Sequence, residues 1–126
     1  MQQNNLDGFL GTADMAERPG MGLDPKLAPA DGTGQPCNTP GSLAECPGYA
    51  TCRFYTSTQL RCDPSNMSNP GVGGLCDKSS DCDLLYQCYN GFCFPFCELG
   101  GTDCGFPDDC VDVGYTGGSN IGSCKN

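Results

Sequence analysis

Apolar residues along this chain come in short, broken runs, and the clearest periodicity lies in residues 88–97, CYNGFCFPFC. Here Asn90-Gly91 sits between two aromatics, a strong hairpin signal because both central positions of a type I′ turn need positive φ. Tyr89 is then expected to face Phe92, and Cys88 to face Cys93. If the following residues run extended, period two puts Phe92, Phe94 and Phe96 on one face and Cys93, Pro95 and Cys97 on the other. The sulfurs would point into a disulfide layer. The phenylalanines would form an apolar stripe that a soluble monomer rarely leaves bare.

Upstream the pattern is different. Residues 1–36 contain no cysteine, four prolines and only scattered apolar residues, and read as an extended or disordered arm. A short helix from Thr12 to Arg18, capped by Thr12 or Asp14 and stopped by Pro19-Gly20, is the one regular element the arm suggests, marginal at that length. From Cys37 onward the cysteines fall into three groups of four: Cys37, Cys46, Cys52 and Cys62; Cys76, Cys82, Cys88 and Cys93; Cys97, Cys104, Cys110 and Cys124. In each group five residues separate the second cysteine from the third, and an acid (Glu45, Asp81, Asp103) precedes the second. This is an internal repeat. The expected organisation is an arm (1–36), repeat 1 (37–62), a linker (63–75), repeat 2 (76–96) and repeat 3 (97–126). Only Phe94-Pro95-Phe96 separates the last two groups, so repeats 2 and 3 are expected to pack as one body with repeat 1 more independent. Pairing first with third and second with fourth cysteine ties each unit into one knot; direct bonding of the facing Cys88 and Cys93 competes with it.

Composition explains why the sulfur is needed. With 37% hydrophobic residues, nineteen glycines and ten prolines, the chain buries too little apolar area for a thick core. Six disulfides would each contribute about 2–4 kcal/mol in the loop-entropy account. The fold class expected is therefore small and disulfide-rich, with loops and short β-hairpins in three four-cysteine repeats behind an extended arm. An even cysteine count fits an oxidising compartment: secreted, periplasmic or cell surface. The chain lacks a C-x2-C pair and any histidine, which argues against zinc, iron–sulfur and thioredoxin-type sites. No stretch is apolar enough for a membrane span and no signal peptide is legible, so the sequence is expected to be a mature or truncated form, with a lipid anchor lost from the amino terminus left open. Net charge is −9, from fifteen acids and six Lys or Arg, which works against nucleic acid or an anionic membrane as partner.

The C-x5-C-x5-C-x-N-G-x-C of repeat 2, with Asp81 before its second cysteine, resembles short cysteine-rich repeats of secreted and surface proteins. These include repeats of myxobacterial-type bacterial surface proteins and the EB and Dickkopf-like modules of animals. The resemblance covers residues 76–110 well and 37–62 loosely, where the gaps lengthen, and does not reach the arm. It implies an extracellular, mostly non-catalytic binding or structural module and names no ligand.

Candidate chemistry is sparse. Lacking histidine and, once oxidised, free thiols, the chain offers no ordinary nucleophile–base pair, and no enzymatic activity or cofactor is expected. Lys78 beside Ser79 and Ser80 is flanked by Asp77 and Asp81, which would raise its pKa rather than lower it. Asp108, Asp109 and Asp112, with Asp81 and Asp83 as further oxygens, are a calcium candidate weighed against solvated loop acids. Asn66-Met67-Ser68 matches the N-glycosylation pattern. The aromatic face of Tyr89, Phe92, Phe94 and Phe96 remains the binding candidate, to be covered by the third unit, the arm, or a protein partner or second copy. The leading functional expectation is a non-enzymatic subunit of a cell-surface or extracellular assembly, held through the arm and the Phe92/Phe94/Phe96 face. The alternatives are a secreted effector, such as a protease inhibitor or toxin-like ligand using a loop from Arg53 to Arg61, and an accessory subunit of an extracytoplasmic enzyme complex.

Overall fold

The computed structural model describes residues 18–66, 69–102, 104–105 and 108–125. The helix expected over Thr12 to Arg18 falls on residues 12–17 outside that range, as do Met67 and Ser68 of the glycosylation pattern and Asp103. Among the described residues six strands form two antiparallel sheets: β1 (Ala50–Thr56) with β2 (Gln59–Pro64), and a four-stranded sheet of β3 (Tyr86–Tyr89), β4 (Phe92–Glu98), β5 (Asp109–Val111) and β6 (Ile121–Lys125) in the order β3-β4-β6-β5. A single 3-10 turn among the described residues spans Ser79–Asp81. The turn between β3 and β4 has Asn90 at φ 56° and Gly91 at φ 86°, both left-handed, and sets Tyr89 opposite Phe92 and Cys88 opposite Cys93 as the Asn-Gly signal implies.

All twelve cysteines are paired, and each unit uses the crossed order: Cys37–Cys52 and Cys46–Cys62, Cys76–Cys88 and Cys82–Cys93, Cys97–Cys110 and Cys104–Cys124. A shared geometry underlies this. In every unit the third and fourth cysteines face each other across an antiparallel ladder (Cys52 and Cys62, Cys88 and Cys93, Cys110 and Cys124). Facing partners project from the same side of the ladder, and there each meets a cysteine from the preceding loop instead of its neighbour. The recurring acid has a matching role. Glu45 Oε1 accepts from the backbone N–H groups of Asn38 and Thr39, and Asp81 Oδ2 from those of Asp77 and Lys78, in each case the two residues after the first cysteine. The carboxylate thus shapes the loop that presents the first sulfur, and in repeat 1 these bonds hold the Glu45 pKa below its ordinary value.

Repeat 1 does not stand apart as its linker suggests. One core runs through all three units, joining Phe54 and Leu60 of the first hairpin to Tyr89 and Phe94 of the second and Val113 of the third. Strand β1 is covered on both faces: Cys52 and Phe54 look into this core, while Thr51 and Arg53 pack against repeat 2. Repeats 2 and 3 are joined as expected, through the β4–β6 ladder.

The described half of the arm threads across the body. Gly20 and Ala30 donate to the carbonyls of Tyr55 and Phe54, Asp24 to Val113, and Ala28 to Cys88, while the Lys26 carbonyl accepts from Asn90. Leu27 pairs with Tyr89, so the arm lies along the free edge of β3 and supplies partners to backbone groups that an edge strand otherwise leaves open. Leu23, Leu27 and Ala30 are buried, which gives this glycine- and proline-rich stretch a reason to be ordered.

Candidate docking surface at the open end of the aromatic stripe

Strand β4 has the predicted alternation, and its neighbours decide what becomes of each phenylalanine. Phe96 lies 6.1 Å from the ring of Phe54, which in turn is 5.3 Å from Tyr115. Phe94 is buried in the common core. Tyr89 is buried beneath the arm, and its hydroxyl donates to Asp24 Oδ2 at 2.9 Å; burial first, then that bond, pushes its pKa up to about 12. The cover therefore comes from the chain's first and third units and its arm, and of the four aromatics singled out in sequence only Phe92 is exposed, at 42%.

Phe92 is not isolated. On the side of β4 away from β3, the end of the linker runs alongside: Gly73 donates to the Cys93 carbonyl, Cys93 donates to that of Gly74, and Leu75 pairs with Phe92. Cross-strand partners share a face, so Leu75, 75% exposed, extends the stripe beyond Phe92. Val72, 62% exposed, stands at the preceding turn, closed by the Gly74 N–H on the Gly71 carbonyl. Linker spacing gave no hint that Leu75 would join the aromatic face.

Charges flank this apolar row on both sides. A shallow cleft bounded by Leu75, Gly91 and Phe92 carries Asp77 and Asp81. Another, bounded by Tyr89, Asn90, Phe92 and Phe94, carries Lys26 and Lys125. An apolar centre with a polar, charged rim is the usual anatomy of a protein-binding patch.

The other candidates have local roles. The Ser79 hydroxyl donates to the Ala28 carbonyl and accepts from the Cys88 N–H, tying the arm to β3, and is buried away from Lys78, whose side chain belongs to an exposed residue. Asp112 Oδ1 accepts from the Gly114 N–H, and Asp83 Oδ1 accepts from the Tyr49 hydroxyl at 2.6 Å and from the Leu84 N–H. Among the described residues, the groups of three potential metal ligands that converge consist of disulfide sulfurs, one with Glu45, and none includes Asp108, Asp109 or Asp112. The segment from Arg53 to Arg61 is a hairpin with Arg53, Phe54, Thr56 and Leu60 buried.

Arg53 is the residue that sequence reasoning misplaced. Only 1% exposed, it pairs with Asp63 Oδ2 at 3.0 Å and donates to the carbonyls of Tyr86 and Asp83 and to the Ser65 hydroxyl. Burial lowers the Arg53 pKa and raises that of Asp63, each partly opposed by the other's charge. So enclosed, the guanidinium joins repeat 1 to repeat 2 through the carbonyls of Tyr86 and Asp83 and has no access to a substrate. Its midstrand position was the available signal, since a charged residue between Cys52 and Phe54 in a stapled strand needs a buried partner or an open face.

Comparison with known proteins finds no matching family model, no matching curated protein and no matching solved structure.

Proposed function

We propose that this chain is a non-enzymatic, exported, disulfide-stapled binding or structural protein, a subunit of a cell-surface or extracellular assembly that meets its protein partner at Phe92 and Leu75. The observation that carries the reading is the uncovered end of an otherwise covered stripe: Phe94 and Tyr89 are buried while Phe92 and Leu75, on the same face, are open. Aromatic residues of this kind, ringed by charge, account for much of the binding energy at protein interfaces. Six disulfides fit an oxidising setting outside the cytoplasm. The described part of the arm, residues 18–36, is engaged with the chain's own body, so the contact surface favoured here is narrower than arm and stripe together.

The test is site-specific photo-cross-linking of the full chain, produced in its own source, with the photoreactive residue at position 92 or at Leu43, an exposed apolar residue in repeat 1. A discrete cross-linked species from position 92 and none from position 43 is the expected result. Equal yields at both positions, or no product at either, would refute the docking surface.

A further inference from the structure

We infer that the partner on this face is a second copy of the same chain, related by a two-fold axis passing near Phe92. The inference rests on the docking reading above and adds the identity of the occupant. An isologous interface must be self-complementary, because each contact between residue i and residue j recurs as j with i. The row across the sheet has this property. Leu75 and Phe92 are cross-strand partners, Phe92 faces Tyr89, and Tyr89 pairs with Leu27 of the arm, so the acidic cleft lies toward the linker and Lys26 lies at the opposite end. Rotation by half a turn about Phe92 stacks the apolar centres on each other. It also lays Asp77 and Asp81 of each copy against Lys26 of the other, twice over.

The charge inventory makes the placement informative. The chain has fifteen acids and only six Lys or Arg, so two copies repel over most of their surfaces. Among those six cations Arg53 is buried in its ion pair, whereas Lys26 and Lys125 both border the cleft beside Phe92. Lys125 stands across the β5–β6 ladder from Asp109 but forms no close ion pair among the described residues. Lys78, next to Asp77 in sequence, borders an adjoining cleft with Ser65 and Asn69 that shares Asp81, on its side away from Leu75 and Phe92. Like-charged molecules can therefore meet favourably here, where an apolar patch carries both signs at its two ends.

The experiment is sedimentation equilibrium of the full, oxidised chain over a concentration series, with three variants checked for unchanged circular dichroism. Wild type should be in reversible monomer–dimer equilibrium. Phe92→Asp should weaken the dimer roughly thirtyfold or more, the effect of losing a central aromatic contact. Lys26→Glu and Asp77→Lys should each be weakened by itself, and an equimolar mixture of these two should recover a dimer containing one of each. Wild type that stays monomeric throughout, or a dimer indifferent to Phe92→Asp and to both charge variants, would overturn self-pairing. In the first case a persistent cross-link from position 92 to a different protein leaves the docking reading standing, since only the occupant was wrong. Recovery absent from the mixture overturns the two-fold charge match even if the dimer itself exists.

Discussion

Replacing Arg53 by methionine tests whether its buried, paired guanidinium is what locks repeat 1 onto repeat 2. The substitution keeps most of the side-chain volume but removes the charge, leaving Asp63 with the Asp31 N–H at 3.4 Å as its remaining described donor and the carbonyls of Tyr86 and Asp83 without the guanidinium. Breaking a buried pair by removing one partner costs about 3–5 kcal/mol, a large part of the 5–15 kcal/mol net stability of an ordinary domain. Urea unfolding of the oxidised protein, followed by tyrosine fluorescence because there is no tryptophan, should show that loss. Adding Asp63→Asn, which removes the orphaned charge, should recover about 1–3 kcal/mol of it. The pH dependence gives a second check. The Asp63 pKa is raised in the folded protein, mainly by burial, and Arg53 pulls it back down. A raised folded pKa means stability that is complete below the unfolded value, near about 3.9, and lost as pH rises through the folded value. Without Arg53 the folded value rises further, so the deficit of R53M should be greatest at neutral pH and shrink toward pH ~4. A deficit below about 1 kcal/mol, or one that does not change with pH, would refute the reasoning.

The same unfolding assay should separate core from surface on one strand: Phe94→Ala is expected to cost about 3–5 kcal/mol, and Phe92→Ala less than about 1 kcal/mol, because its ring is already substantially exposed. Removing the Cys37–Cys52 bridge by paired alanine substitution should cost about 2–4 kcal/mol, and proteolytic peptides of the intact protein should be linked in the crossed order with no Cys88–Cys93 product. Ultraviolet titration should find Tyr89 ionising near pH 12, and Asp24→Asn should bring that value down. Since the folded pKa lies above the unfolded value of about 10, the associated stability is lost as pH climbs through that interval.

Local rules carried far into this protein. Asn90-Gly91 demands a particular turn whatever surrounds it, so the β3–β4 register and the alternation of sulfur and aromatic along β4 follow from a few adjacent residues. Equal middle gaps in the three cysteine groups reflect one ladder geometry used three times, with an acid holding the loop before it in repeats 1 and 2. What covers each residue was not legible in the same way. Nothing local to Arg53 reports that repeat 2 supplies the carbonyls that solvate it, and nothing local to Leu27 reports that it will lie on Tyr89, sixty-two positions away by sequence number. The sequence by itself determined the units, their turns and the two faces of β4, because those depend on backbone geometry and short spacing. Only the tertiary structure decided that the arm closes the β3 edge and that Phe92 and Leu75 stay open while Phe94 does not, because burial is set by contacts between segments far apart in the chain.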